Sequence, residues 1–98
     1  MLPTFRTYQL ALEFYRECEK LSLPYYLKDQ ILRASSSVVL NLAEGSAKPT
    51  KKDKLKFYYI ALASHREVQA VLEMQSYKEL DQKADHLGAS LYKLTHQP

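Results

Sequence analysis

The sequence predicts an all-α protein, an antiparallel up-down four-helix bundle formed by a single domain of residues 1–98. Apolar residues recur at spacings of three and four along four segments, and three short breaks separate these segments. The chain contains only two glycines and lacks the alternating pattern of strands, which argues against a β-sandwich. Because the breaks are short, consecutive helices are expected to run antiparallel.

The first helix is predicted at about residues 5–21, with Thr4 as its N-cap. Its core-facing stripe is predicted to contain Phe5, Tyr8, Leu12 and Tyr15, with Ala11 and Cys18 beside them. Ser22 and Pro24 interrupt the helical pattern, and Pro24 suits the first turn of the next helix.

The second helix is predicted at about residues 25–46. One face carries Leu27, Ile31, Ala34, Val38 and Leu42. Leu32, Val39 and Leu40 extend the apolar surface beyond this stripe, so the helix is expected to be buried on more than one side. Gly45 marks its end, and Pro49 prevents further winding.

The third helix is predicted at about residues 51–76 and the fourth at about residues 82–95. Thr50 and Asp53 are read as a capping pair that opens the third helix, and Asp81 as the N-cap of the fourth. The core stripes are predicted to be Phe57, Ala61, Ser64, Val68 and Val71 in the third helix and Ala84, Leu87, Leu91 and Leu94 in the fourth.

Composition and targeting signals indicate a soluble, cytoplasmic protein. Cys18 is the single cysteine, so no intrachain disulfide is expected and a reducing compartment is the natural assignment. The first residues do not resemble a signal peptide, and no apolar run is long enough to cross a membrane. A net charge of +3 permits an anionic partner without requiring one.

Polar residues interrupt the apolar second helix at regular intervals. Arg33, Ser37, Asn41 and Gly45 are spaced by four and therefore lie along one ridge. A buried, unpaired amide at Asn41 would cost about 1–3 kcal/mol, so it requires partners, and the facing helix offers Ser64 and Glu67. We expect a structural network that fixes helix register, formed by Arg33, Ser37, Asn41, Glu44, Ser64 and Glu67.

The same residues do not match a catalytic or metal-binding pattern. Ser64 and His65 are consecutive and point about 100° apart on a helix, so they cannot form a Ser–His pair. Glu44 and Glu67 could form an acid pair, but the Glu-x-x-His motif of helix-bundle metal sites is missing. We expect no catalytic residue, no bound metal and no cofactor.

Five lysines surround the N-terminus of the third helix: Lys48, Lys51, Lys52, Lys54 and Lys56. Helix N-termini favour anions, and lysine contacts phosphate without reading bases, so this turn is the predicted nucleic-acid-binding site. The alternative is a lysine-rich surface that serves only solubility. In the pairs Tyr25–Tyr26 and Tyr58–Tyr59 one ring is expected to face inward and the other outward, where it could stack on a base. For most of the tyrosines the favoured role is to fill the core or an interface with the hydroxyl at the rim.

The stretch from Gln30 to Gly45, "QILRASSSVVLNLAEG", resembles the signature of the bacterial four-helix-bundle family encoded in 23S rRNA intervening sequences. A second block of that family corresponds to Phe57, Ile60, Ala61, Ala63, Ser64, Glu67 and Val68. Ala63 stands where the family usually has glycine, and Val39 where proline is common.

The resemblance implies a homo-oligomer, specifically a homopentamer. The chain is also similar to the accessory protein of diversity-generating retroelements, a basic pentamer that binds a reverse transcriptase and nucleic acid. The leading interpretation is a non-enzymatic oligomer that binds RNA or another nucleic acid and serves as an accessory factor to an enzyme such as a reverse transcriptase. The alternative is a protein–protein interaction scaffold that does not bind nucleic acid.

Overall fold

A computed structural model describes residues 5–96, and all regular structure in this range is helical. The helices are α1 (Arg6–Glu19), α2 (Tyr25–Ser46), α3 (Lys51–Met74) and α4 (Asp81–Thr95). α1 packs against α2 and α4, and α3 packs against the same two helices. The result is an up-down four-helix bundle that measures 40 × 21 × 20 Å, and the predicted fold class is confirmed.

The core-facing side was predicted correctly for α2 and in part for α1, where Ala11 and Cys18 are buried as expected. Leu27, Ile31, Ala34, Val38 and Leu42 of α2 are all buried. In α1 the buried residues are Thr7, Ala11, Phe14 and Cys18, so the stripe is displaced by about one residue from the predicted one. The Thr7 hydroxyl shares a 2.6 Å hydrogen bond with that of Ser90 in α4, which lets a polar residue occupy the inner face.

The helix starts illustrate how capping depends on local geometry. Thr50 Oγ1 accepts a hydrogen bond from the Asp53 N–H at 3.2 Å, which confirms the predicted N-cap of α3. Asp81 was predicted as the N-cap of α4 but is its first helical residue, and Leu80 occupies the N-cap position. Thr4, the predicted cap of α1, lies outside the described residues.

α3 ends two residues earlier than predicted, at Met74. Ser76 adopts a positive φ of 50°, which turns the chain out of the helix. The Tyr77 N–H donates to the Leu72 carbonyl and the Ser76 N–H to the Glu73 carbonyl, the two hydrogen bonds of a Schellman motif. Glycine usually occupies this left-handed position, and because serine takes it here no glycine marks the end of the helix.

Two lysines close the first two interhelical connections. Lys28 Nζ, on the first turn of α2, donates to the carbonyls of Glu19 (2.8 Å) and Leu21 at the end of α1. Lys54 Nζ, on the first turn of α3, donates to the Ser46 carbonyl at the end of α2 (2.9 Å). Each lysine satisfies carbonyl groups at or just beyond a helix C-terminus and places a positive charge near the negative end of the helix dipole.

The two central helices are longer than their neighbours. α2 and α3 contain 22 and 24 residues, whereas α1 and α4 contain 14 and 15. Phe5, just before α1, contacts the Tyr58 ring, and the Tyr59 hydroxyl donates to the Thr95 carbonyl at the end of α4. Residues 43–57, the hairpin tip, therefore extend past the described ends of α1 and α4. Between residues 5 and 96 no helix combines the length and apolarity needed to cross a bilayer.

Candidate nucleic-acid interface

Charged residues are distributed unequally along the bundle. The half that contains the hairpin tip, residues 5–12, 36–62 and 88–96, carries seven basic residues and two acidic ones. The other half, residues 13–35 and 63–87, carries seven basic and nine acidic residues. The first half, here called the basic end, therefore has a net charge of +5 and the opposite end −2. A polyanion would be attracted to the basic end.

The five predicted lysines do not have equivalent surroundings. Lys48 forms a 3.0 Å ion pair with Glu44, and its ammonium group lies 5.1 Å from the centroid of the Phe57 ring. Lys56 lies 5.8 Å from the same ring. Lys54 donates to the Ser46 carbonyl and so belongs to the structure of the turn. Lys51 and Lys52 are exposed.

Lys52 and Lys56 are the best placed of these lysines to meet a ligand. Both are exposed, and a spacing of four residues places them on one side of α3. At the first turn of α3, by contrast, the Asp53 N–H is already bonded to Thr50 and the Asp53 carboxylate is exposed beside it. The attraction for an anion therefore comes from the lysine side chains more than from the free N–H groups of the helix.

The polar network between α2 and α3 is smaller than the predicted one. The hydroxyls of Ser37 and Ser64 share a 2.9 Å hydrogen bond across the two helices. Asn41 Nδ2 donates to the Ser37 carbonyl at 2.9 Å and to the Ser37 hydroxyl at 3.1 Å. Asn41 is partly buried, and its amide supports the serine that makes the contact between helices.

The remaining predicted members bind elsewhere. Arg33 is exposed and pairs with Asp29 one turn away at 2.6 Å, and Glu44 pairs with Lys48. Glu67 accepts a hydrogen bond from Gln30 across the α2–α3 seam. Arg33 and Glu44 are therefore not brought into the network, because their side chains point to solvent. Gln30 was missed, although its spacing of seven from Ser37 places it on the same side of α2.

Three residues that could carry chemistry, Glu44, Glu67 and Cys18, are not arranged as a catalytic site. Glu44 and Glu67 have separate partners and do not form an acid pair. Burial raises the pKa of the Cys18 thiol to about 12, so the thiolate needed for nucleophilic chemistry is not formed near neutral pH. Within the described range no group of three or more His, Cys, Asp or Glu residues is placed to hold a metal ion.

His65 is a fully buried residue that the sequence reasoning did not assign to the core. Its Nε2 lies 2.8 Å from the Ala84 carbonyl in α4, which can only accept, so Nε2 carries the proton. Nδ1 is buried without a hydrogen-bond partner, and the Phe14 ring packs edge-on at 5.5 Å between centroids. Burial lowers the pKa of His65 despite the hydrogen bond to Ala84. The signal in the sequence is its spacing, because His65 follows Ala61 by four residues and precedes Val68 by three, which places all three on the same face of α3.

Three aromatic rings form a cluster at the basic end. Tyr92 and His96 are stacked with ring centroids 3.7 Å apart and an interplanar angle of 10°, and Tyr59 meets His96 edge-on at 6.2 Å. Tyr59 and Tyr92 are 48% and 50% exposed. Tyr58 is buried, so the pair Tyr58–Tyr59 divides as predicted.

The pair Tyr25–Tyr26 does not divide, because both rings are exposed at the opposite end of the bundle. Tyr25 is 87% exposed. Its position at the very first turn of α2 leaves it beyond the packed part of the helices.

An apolar surface remains on α2 and α3. Leu40 is 66% exposed, and Ile60 of α3 is exposed as well. The hydrogen bond between Ser37 and Ser64 sets the register of the two antiparallel helices, which places Leu40 and Ile60 at the same level. Leu32 and Val39 are only partly buried, so the apolar surface predicted on α2 is partly exposed in the single chain.

Comparison with known proteins identifies a family over most of the chain. Residues 4–93 match the family model described as 23S rRNA-intervening sequence protein. The searches of curated proteins and of solved structures found no match.

Proposed function

Because the chain belongs to the 23S rRNA-intervening sequence protein family, we propose that it is a non-enzymatic, oligomeric helical bundle that binds RNA or another nucleic acid through its basic end. In this role it presents nucleic acid to a protein partner, such as a reverse transcriptase. The bound nucleic acid is contacted mainly at its phosphates, so recognition depends little on base sequence.

The observation that supports this proposal is the segregation of charge. The basic end has seven basic residues and two acidic ones, although the whole chain is only mildly basic. A surface that serves solubility alone needs no such segregation, because mixed charges achieve it equally well. The hairpin tip carries five of these seven basic residues at the most protruding part of the bundle.

Exposed apolar side chains support the oligomeric part of the proposal. Leu40 and Ile60 are exposed at the same level of α2 and α3, and a second copy of the chain could cover them. Leu32 and Val39 of α2 are packed against the core but remain partly exposed. In a closed ring each subunit repeats the same basic end, and weak phosphate contacts then add through avidity. Light scattering on the purified protein measures the number of subunits, which the family resemblance puts at five.

The proposal is tested by RNA binding at several salt concentrations. With about four phosphates neutralised on single-stranded RNA, log affinity falls with log salt at a slope of about −3 per site. The double variant Lys52→Glu/Lys56→Glu is expected to weaken binding strongly and to make the slope shallower by about 1.4. Lys54 is left unchanged because its ammonium group binds the Ser46 carbonyl, so its replacement would disturb the turn.

A matched control makes the same change of charge at the opposite end. Lys78 and Lys83 are exposed there, and the 3.8 Å pair of Lys83 with Glu17 is on the surface and contributes little to stability. Lys78→Glu/Lys83→Glu is expected to retain RNA. Equal RNA affinity of the Lys52/Lys56 variant and the wild-type protein would reject the basic end as the binding site.

A protein–protein scaffold without nucleic-acid binding is the second candidate. The observation that favours it is the exposure of Tyr25, Tyr26 and Met74 near the end opposite the hairpin tip, where large apolar side chains face solvent. If the protein is such a scaffold, its complex with the partner protein is expected to be insensitive to salt, and the protein itself is expected to retain no RNA. The salt titration separates the two functions.

A further inference from the structure

The cluster of Tyr59, Tyr92 and His96 lies where nucleic acid bound to the basic end would pass. Its rings are too exposed to serve only as core, since Tyr59 and Tyr92 each leave about half of their surface in solvent. The Tyr92–His96 stack and the edge contact from Tyr59 hold flat apolar faces at the surface. Aromatic faces of this kind are the stacking partners of unpaired bases.

Hydrogen bonds fix the Tyr59 and His96 side chains, and the stack on His96 positions the Tyr92 ring. The Tyr59 hydroxyl donates to the Thr95 carbonyl at 3.0 Å, which attaches α3 to the end of α4. His96 Nδ1 lies 2.8 Å from the Thr95 hydroxyl and 3.0 Å from the Tyr92 carbonyl. The rings are therefore positioned before a ligand arrives, which lowers the entropy cost of binding.

Positive charges lie on both sides of the cluster. Along α3, Lys52 and Lys56 share a face with Tyr59, and Lys52 precedes Tyr59 by two turns, or about 10 Å along the helix axis. On the other side a groove between α3 and α4 is lined by Arg66, Tyr92 and Lys93. Asp85 lines the same groove nearer the start of α4 and limits how far phosphates can follow it.

From this arrangement we infer that the basic end binds single-stranded polynucleotide, with at least one unpaired base stacked on the Tyr92 side of the cluster and the flanking phosphates on Lys52, Lys56 and Lys93. The inference rests on the proposed function and names its ligand class. A duplex keeps its bases stacked on one another, so only its phosphates can reach the lysines. An unpaired strand gains the phosphate contacts and the stacking together.

The test compares an unstructured oligouridylate with a blunt RNA duplex of equal length. Tyr92→Leu removes the ring and keeps an apolar side chain, and it is expected to weaken single-strand binding about 5- to 150-fold while leaving duplex binding unchanged. Tyr92→Phe keeps the ring and is expected to bind like the wild-type protein. Tyr25→Leu changes the most exposed tyrosine, at the opposite end, and is expected to have no effect.

A second measurement does not depend on any variant. A single strand that contains 2-aminopurine is expected to lose fluorescence on binding the wild-type protein, because stacking on an aromatic ring quenches the base. The deoxyribose strand of the same sequence is expected to bind equally well, since neither stacking nor phosphate contact requires the 2′-hydroxyl. A strong preference for the ribose form would overturn recognition by these two contacts alone.

The outcomes separate the inference from the proposed function. Unchanged single-strand binding by Tyr92→Leu, or equal loss of single-strand and duplex binding in a variant with wild-type circular dichroism, would overturn the stacking site while the charge-based function stands. Failure of the wild-type protein to bind either RNA would overturn both.

Discussion

The two glycines of the chain provide a test of how closely α2 and α3 approach. Both lie within helices, where alanine is normally the better residue by about 0.5–1 kcal/mol. A Cβ atom added at Gly45 would lie 2.7 Å from Cε1 of Tyr58 and 3.1 Å from Cβ of Phe57. One added at Gly88 would lie 3.5 Å from the His65 ring, an ordinary contact distance. The same substitution is therefore expected to have opposite effects at the two sites.

The magnitudes follow from these distances. At Gly45 the Tyr58 ring is buried and cannot move aside freely, so α2 and α3 have to separate, at an overpacking cost of about 1–3 kcal/mol. The gain in helix propensity recovers less than about 1 kcal/mol so near the end of α2. Gly45→Ala is expected to lower the free energy of unfolding by roughly 1–2 kcal/mol, and Gly88→Ala to raise it by roughly 0.5–1 kcal/mol.

Urea unfolding followed by far-UV circular dichroism measures both changes. All proteins are compared at one concentration, because subunit association would add to the apparent stability. In thermal unfolding a change of about 1 kcal/mol corresponds to a shift in Tm of roughly 4–8 °C for a domain of this size. Combining Gly45→Ala with Tyr58→Leu removes the ring that the new methyl group meets. The double variant is therefore expected to lose less stability than the sum of the losses in the two single variants. Equal stability of Gly45→Ala and Gly88→Ala would refute the close approach.

Two further predictions concern polar groups between helices. The pKa of His65 is lowered from its ordinary value of 6.5 in the folded protein, so below pH 6.5 the unfolded chain binds a proton that the folded protein does not. As the pH is lowered below 6.5, the free energy of unfolding is therefore expected to decrease, by up to about 1.4 kcal/mol per pH unit, until the pH reaches the lowered pKa of His65. Urea unfolding at several pH values measures this dependence of the free energy of unfolding on pH, and His65→Leu is expected to show a weaker dependence. The same dependence in both proteins would show that groups other than His65 cause it. For the hydrogen bond between Ser37 and Ser64, a double-mutant cycle with alanine at both positions is expected to give a coupling energy of about 0.5–1.5 kcal/mol. Additive single effects would show that this bond does not stabilise the pair.

The elements with strong local signals were predictable from the sequence. Pro24 and Thr50 set the starts of α2 and α3. The apolar face of α2 is continuous, so only one side of this helix can face the core. The centre of the inner face of α1 was predicted about one residue away from its actual position. Tyr8 and Tyr15 count as apolar residues in a periodicity analysis, whereas their hydroxyls favour a position at the rim of the core. Ser76 ends α3 through its backbone conformation, and no side-chain property of serine announces this.

The candidate site was predictable only in outline. The lysines of the turn are plain in the sequence, yet the engagement of Lys54 with a backbone carbonyl depends on how the turn folds. The charge difference between the two ends emerges only when four antiparallel helices are aligned, because residues distant in sequence then share one end. The aromatic cluster joins Tyr59 to Tyr92 and His96 in the same way, across α3 and α4.

The two lysines that close the first two connections imply an order in which the bundle comes apart under acid. Lys28 and Lys54 donate to backbone carbonyls and not to carboxylates, so acid does not remove their acceptors at the attachments of α1 to α2 and of α2 to α3. α4 is held to α3 by the hydrogen bond of His65 to Ala84 as well as by that of Tyr59 to Thr95, and a second proton on the His65 ring would be buried without an acceptor. Acidification is therefore expected to weaken the packing of α4 before the connections that hold the hairpin tip.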